Sequence, residues 1–415
     1  MKYFLFIIGC QMNLADAERA ATILDKMGMT QTSSEKEADL IMALACSVRQ
    51  SAIDRVYGQI NKWQGRKNLT TVLSGCVTAR DKKKMQEKFD LVLDIKDLPK
   101  LPNKLKNLPT YKQNNYLQIT PKYTSNFQAF VPISNGCNNF CTYCVVPYTR
   151  GREQSRPQAE IICEVRALIK RGFREITLVG QNVNSYGQDL KPEAEFVDLL
   201  TKADSIPGHF WIRFTTNHPK DMSDQLIKAI PKLKKVTKYI HLPLQSGDNT
   251  ILKKMNRKYT KESYLRLIAK IKKWIPGVAI STDIIVGFPG ETDKQFKETA
   301  KVMKTVQYVM AYLNQYSERP GTAAAKLKDN IKKETKRQRE EVLNEILKKS
   351  SLAYNQKMVG KSEEVLVDGQ KKEYYYGRTG SYQIVKFKSR KNLIGKFVKI
   401  KIVKANTWYL DGIYA

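Results

Sequence analysis

The sequence predicts an α/β protein in three parts: an N-terminal three-layer α/β domain, a central partial TIM-like (β/α)6 barrel, and a C-terminal OB-like β-barrel. Three observations carry this prediction. Residues 1–108 alternate apolar strands with amphipathic helices three times, and residues 127–352 do so six times, the pattern of parallel sheets. From residue 353 to 415 the helical period gives way to five short strands with glycine turns, the pattern of a small barrel.

In the first part, strands fall at residues 3–8, 40–44 and 71–73, each followed by a helical pattern, at 14–27, 51–63 and 82–89. Residues 99–125 are rich in Pro, Asn, Lys and Thr with weak periodicity, so little regular structure is expected there, with the linker proper at 109–126. The second part places strands at 128–133, 175–179, 211–215, 239–241, 280–286 and 310–313. Helices separate them at 158–171, 195–205, 223–232, 261–274 and 293–305. In IICEVRALI, Cys163 reads as core filling on the apolar face of its helix. Residues 325–349 form a highly charged helix, with Leu343 and Leu347 spaced i, i+4, that reads as a solvated connector. The last part reads as strands at 364–367, 373–377, 383–387, 397–404 and 408–413.

Composition narrows the function classes. The chain is 42% hydrophobic and 9% aromatic, which suits a folded protein of two or three domains and excludes a disordered one. Lys and Arg outnumber Asp and Glu by 72 to 40, and a net charge of +32 favours polyanionic partners. No run approaches the ~20 apolar residues of a membrane span. The opening MKYFLFIIGC lacks a small-residue cleavage site and reads as a buried first strand. A cytoplasmic protein without a membrane partner is therefore expected, and its seven cysteines point to metal binding or catalysis rather than disulfides.

The chemistry centres on residues 131–156, VPISNGCNNFCTYCVVPYTRGREQSR, where Cys137, Cys141 and Cys144 are spaced C-x3-C-x2-C after the first barrel strand. Three thiolates bind three irons of a cubane cluster and leave the fourth open to substrate, whereas structural zinc and electron-transfer clusters take four ligands. No histidine precedes His209, so no fourth ligand lies close in sequence. A zinc knuckle or a redox thiol pair is the competing reading. The histidines His209, His218 and His241 are too scattered for a metal site of their own.

A second set is dispersed. Cys10, Cys46 and Cys76 each follow one of the first three strands, and the carboxyl ends of parallel strands share an edge where ligands bind. They either converge there on a second cluster or are small buried hydrophobes. Around the barrel rim, polar loops follow later strands: Gln181 and Asn182, then Asn217, then Gln245 and Ser246. Their amides and hydroxyl suit a ribose, a carboxylate and an adenine edge, although each loop alone reads as a turn. In the last part, 13 Lys and Arg face 5 acidic residues from position 355 onward, interleaved with Tyr374, Tyr375, Tyr376, Tyr382 and Phe387. Cations for phosphates and aromatics for bases suggest nucleic acid, against the alternative of an inert basic barrel.

The cysteine loop, with Tyr143 before its third cysteine, resembles the radical S-adenosylmethionine (SAM) superfamily. Together with GCQMN at 9–13, VRQSA at 48–52, YTRGRE at 148–153, GQNVNSY at 180–186, HLPLQSG at 241–247, TDIIVGFPGET at 282–292 and YSERPGTAAA at 316–325, the whole chain resembles the methylthiotransferases of that superfamily. GRTGSYQIVKF and LIGKFVKIKI resemble the RNA-binding TRAM domain. One departure is Leu44-Ala45 before Cys46, where the family often has Asn-Thr.

The resemblance implies two 4Fe-4S clusters, one on Cys137, Cys141 and Cys144 and an auxiliary one on Cys10, Cys46 and Cys76. It implies SAM bound by Tyr143, Gln181, Asn182, Asn217, Gln245 and Ser246. The implied reaction adds a methylthio group to C2 of N6-dimethylallyladenosine next to the anticodon, with the tRNA anticodon loop as partner. A flavodoxin- or ferredoxin-like electron donor and a monomeric state are implied with it. Rival substrates are threonylcarbamoyl adenosine in tRNA and an aspartate of a ribosomal protein; the rival from another class is a non-catalytic, zinc-stabilised RNA-binding protein.

Overall fold

The computed structural model describes residues 1–48, 50–106 and 115–414. The N-terminal part is a five-stranded parallel sheet in the order Thr30–Gln31, Lys2–Ile7, Leu40–Cys46, Thr70–Cys76, Leu91–Val92. Its central strand LIMALAC is buried throughout because helices cover both faces. Successive side chains alternate between them. Leu40, Met42 and Leu44 pack under helix Gln11–Lys26 with Ala17, Ala20 and Leu24. Ile41, Ala43 and Ala45 pack under helix Gln50–Gln64 with Ile53, Val56 and Trp63. The result is three layers.

Both edge strands escaped sequence reading, since two residues are too few to show alternation. The expectation of little regular structure after residue 99 is corrected. A 3-10 helix at Ile95–Lys100, helix Leu101–Lys106 and a 3-10 turn at Tyr116–Gln118 occupy the described part. Leu98, Leu101, Tyr116, Leu117 and Ile119 join the core on one face of the sheet, so this stretch is built into the domain. The expected boundary between residues 108 and 109 lies outside the described residues.

The barrel strands are Gln128–Pro132, Glu175–Val179, Trp211–Thr215, Tyr239–His241, Ala279–Val286 and Met310–Gln315. They are parallel and form two three-stranded sheets, joined at the seam by a bridge from Ile212 to Val236. The barrel is therefore partial, and all its strands point their carboxyl ends to one rim. Cys163 departs from expectation: it is exposed. The buried residues of helix Gln158–Lys170 are Ile161, Val165 and Leu168, and a residue two places after Ile161 lies on the opposite face.

The charged helix spans Lys333–Gln356, starting later than expected because Ala323–Lys326 forms its own 3-10 turn. It is not simply solvated. Lys336 and Arg339 are buried with Leu343 and Leu347, and they pair with Asp329 and with Glu291 and Asp293.

The C-terminal part closes into a five-stranded barrel, in the order Ser362–Lys371, Tyr374–Thr379, Ile384–Lys388, Leu410–Tyr414, Phe397–Ala405. Tyr375 and Phe387 fill its core, and Tyr382 stacks on Tyr239 of the central barrel with ring centroids 4.8 Å apart. Of the five aromatics marked for base stacking, these three are thus structural. Arg213, buried beside Glu175 at 2.6 Å, donates to the Thr379 and Gly380 carbonyls at 2.9 and 3.1 Å, so the small barrel docks against the large one. No described helix is long and apolar enough to cross a membrane.

Candidate functional site

The barrel cysteines sit on a loop closed at its neck. Past the first strand, Ser134 pairs with Ser155 and Asn135 with Gln154. Gly136 lies at φ +89°, and a Cβ there would stand 2.1 Å from the Arg152 carbonyl, so the neck closes only around glycine. The Cys137 amide donates to the Gly151 carbonyl at 3.1 Å and the Cys144 amide to the Cys141 carbonyl at 3.0 Å. Asn256 Nδ2 donates to the Phe140 carbonyl at 2.9 Å, pinning the loop from outside. Burial and the neighbouring Cys141 push the Cys137 and Cys144 thiols up, Cys144 to about 12. Donors reach two sulfurs: Asn139 Nδ2 is 3.4 Å from Cys137 Sγ, and Arg257 Nη1 is 3.3 Å from Cys141 Sγ.

The three dispersed cysteines converge. Cys46 and Cys76 end adjacent strands as register partners, and Cys10 is the N-cap of the first helix. Asn13, one turn into that helix, gathers them. Cys10 and Cys76 lie 3.6 and 4.0 Å from its Oδ1, while its Nδ2 donates to the Ala45 carbonyl at 3.0 Å. A hydrogen bond between Cys46 and Cys76 pulls the Cys46 thiol down and pushes Cys76 up. Gly75, at φ +105°, would place a Cβ 2.4 Å from the Ala45 carbonyl, so the strands meet this closely only at glycine. Among the described residues no group of three or more His, Cys, Asp or Glu is set around a single metal ion. Thiolates on separate irons of a cubane do not need to converge on one point.

The YTRGRE stretch, which entered only as part of the resemblance, holds an arginine that the structure makes central. Arg150 is 1% exposed, with Nε 2.7 Å from Cys76 Sγ and Nη2 2.5 Å from Asp16 Oδ2. Nη1 donates to Asn135 Oδ1 at 2.9 Å and to Tyr116 Oη at 3.2 Å. Removing one partner of so buried a pair strands the other charge, at a cost of about 3–5 kcal/mol. Asn13, Asp16 and Arg257 were missed too. Only the position of Asn13, one turn after Cys10, signalled a role.

A cleft of about 340 Å³ joins the two domains. Val48, Gln50 and Ser51, just past Cys46, form one wall, and Tyr143 and Cys144 belong to the other. Gln245 and Asp283 reach it from the rim, and Arg319 crosses the boundary by donating to Gln50 Oε1 at 2.6 Å.

The rim residues divide. Gln181 is occupied with the loop, its Oε1 accepting from the Gly136 amide at 2.5 Å. Ser246 is buried and its Oγ accepts from the Asp248 amide at 3.3 Å. Asn182 and Asn217 spend their Nδ2 on Asp221 and on the His241 carbonyl, which leaves both Oδ1 atoms buried without a partner among the described residues. Gln245, at φ +67°, leaves its Oε1 likewise. Buried acceptors without donors are costly unless a ligand supplies the N–H or O–H. Tyr143 packs against the small core containing Phe288 and Tyr316.

The histidines are engaged elsewhere. His218 Nδ1 accepts from the Lys220 amide, and burial holds its pKa at about 2. His241 bonds Ser281 and Asp283, and His209 stacks on Phe397. Behind the loop, Glu153 accepts from Ser185 Oγ at 2.6 Å, and burial raises its pKa to about 7.

Comparison with known proteins gives concordant results. Residues 131–303 match the Radical SAM superfamily, residues 2–95 the Uncharacterized protein family UPF0004, and residues 356–414 the TRAM domain. A Clostridium botulinum protein named tRNA-2-methylthio-N(6)-dimethylallyladenosine synthase is 44% identical, over 99% of this chain and 96% of that protein. A Carboxydothermus hydrogenoformans protein of the same name is 40% identical, over 99% and 98%. Among solved structures, the radical SAM methyltransferase TsrM from Kitasatospora setae shares the fold at a TM-score of 0.53 and 13% identity, over 78% of this chain and 75% of that one.

Proposed function

The chain belongs to the family of tRNA-2-methylthio-N(6)-dimethylallyladenosine synthases, and from that premise we propose which of its residues carry the reaction. It is a radical SAM methylthiotransferase that acts on N6-dimethylallyladenosine beside the tRNA anticodon and makes the 2-methylthio derivative. SAM and an iron–sulfur cluster are its cofactors.

In our reading there are two 4Fe-4S clusters, held by Cys137, Cys141 and Cys144 and by Cys10, Cys46 and Cys76. The donor sets fit: each gathers three sulfurs in one place, and the histidines that would complete a zinc site are occupied elsewhere. Bound there, such clusters supply the one-electron chemistry and the sulfur that substitution at an unactivated C2–H bond requires. The chain does the remaining work. The partnerless oxygens of Asn182, Asn217 and Gln245 accept from the ammonium, ribose and adenine donors of SAM. Tyr143 lines the cleft beside Gln245, Ser246 holds the turn that follows through the Asp248 amide, and Gln181 acts through the loop by fixing Gly136.

The single observation that carries the reading is the cleft lined by Cys144 on one side and by Val48, Gln50 and Ser51, the residues that follow Cys46, on the other, since transfer needs both centres at one base. The target base must leave its stack to enter, which an anticodon-loop nucleotide does at little cost. On the C-terminal barrel, Lys386 lies 4.0 Å and Lys388 4.9 Å from the Tyr374 ring centroid, a cationic aromatic surface for RNA. A flavodoxin- or ferredoxin-like donor, a monomeric state and the cytoplasm complete the proposal. Anaerobic reconstitution tests it: about eight irons and an absorption near ~400 nm that bleaches on reduction are expected. Mass spectrometry of nucleosides from treated tRNA identifies the product; iron without a methylthiolated nucleoside contradicts the assignment.

A further inference from the structure

Arg150 belongs to neither ligand set, yet it touches both halves of the site. Its carbonyl accepts from Asn135 Nδ2 at 3.3 Å in the neck of the barrel loop, and the next residue, Gly151, accepts from the Cys137 amide. Its guanidinium crosses into the other domain. Nε points at the Cys76 sulfur, Nη2 is held by Asp16, and Nη1 is shared by Asn135 and Tyr116. Every arm of the fork has an acceptor, and the group is sealed from solvent.

We propose that Arg150 is a positioning residue that sets the reduction potential of the N-terminal cluster and holds that cluster in register with the barrel loop. The inference rests on the reading that Cys10, Cys46 and Cys76 hold a cluster. A hydrogen bond and a positive charge at a ligand sulfur stabilise the more negative, reduced state and raise the potential. Asp16 works against this: its carboxylate, with Oδ1 buried and partnerless, offsets part of the cation's field. The arrangement therefore predicts opposite signs for its two members. A lysine keeps the charge, but its compact ammonium cannot reach sulfur, carboxylate and amide together in the geometry of the fork.

The test uses the full chain carrying Cys137→Ala, Cys141→Ala and Cys144→Ala, reconstituted anaerobically so that only the N-terminal set holds iron. Potentiometric titration followed by electron paramagnetic resonance reads its midpoint. Arg150→Met is expected to shift the midpoint negative, Arg150→Lys to shift it less in the same direction, and Asp16→Asn to shift it positive. A purely structural arginine would lower the unfolding temperature of all three variants and leave the midpoints where they were, which overturns the proposal. Should Arg150→Met not fold, the opposed shifts of Arg150→Lys and Asp16→Asn decide alone. Absence of iron in the parent overturns the cluster assignment and this inference together. About four irons with invariant midpoints overturn this inference only.

Discussion

The two cysteine sets bring three sulfurs together by opposite routes. Cys137, Cys141 and Cys144 lie within one turn-rich loop, and local bonds shape it: the Ser134–Ser155 ribbon, the Gly136 neck and the Cys144–Cys141 amide bond. Cys10, Cys46 and Cys76 lie tens of residues apart, and a parallel sheet brings them together because its strands end at one edge. A local site survives as long as its loop does. A dispersed one depends on the register of a whole domain.

The strongest way to break this comparison is at the sulfurs. Cys141→Ala is expected to abolish SAM cleavage and methylthiolation alike. Cys46→Ala is expected to leave cleavage measurable by chromatography while methylthiolation disappears. Both variants retaining full methylthiolation would refute the division of labour. Next come the glycines that let each set form. Gly136→Ala and Gly75→Ala each force a Cβ against a carbonyl at positive φ, a cost of about 1–3 kcal/mol. Each is expected to lose roughly half the bound iron, the first from the barrel and the second from the N-terminal set. Iron counting together with SAM cleavage separates them, since only Gly136→Ala should stop cleavage.

A smaller effect is expected far from both sets. Lys386→Ala with Lys388→Ala should weaken tRNA binding several-fold and flatten its salt dependence by about one to two in slope, with SAM cleavage in the absence of tRNA unchanged. An unaltered slope would take this surface out of the RNA path. The smallest effect concerns Glu153. Its folded pKa of about 7 lies above its unfolded value of about 4.3, so ionising it costs stability. That cost is absent below the unfolded value and grows as pH rises through about 7. Glu153→Gln should therefore gain on the wild type between pH 5 and pH 8, by about 1 kcal/mol or more in denaturant titration. An equal difference at both pH values would show that the carboxyl is not the source.

How legible the molecule was follows the same division. The spacing of Cys137, Cys141 and Cys144 could be read directly, because local chemistry leaves a local pattern. The other set was readable only through the strand–helix alternation that predicts a parallel sheet. Three of the barrel strands matched the expected residues to the last position, since each is a short apolar run bounded by turns. What stayed hidden was contact between distant segments. Nothing local to RGRE says that Arg150 will meet Asp16, and the alternation that marks Tyr375 and Phe387 as aromatic cannot say that they point inward. Cys163 misled because a helix with apolar residues at 161, 162, 165, 168 and 169 offers a broad stripe, and its true centre excludes position 163.

The contact between Arg213 and the Thr379 and Gly380 carbonyls has an implication for how such proteins can be recombined. Grafting a foreign RNA-binding module in place of the C-terminal barrel would leave the Arg213 guanidinium short of two acceptors. A transplant that carries the donor's own turn at residues 379–382 but mismatches Arg213 and Tyr239 should lose the same contacts. The C-terminal barrel is thus exchangeable between relatives only when the turn at residues 379–382 and its two contacts on the central barrel travel as one unit.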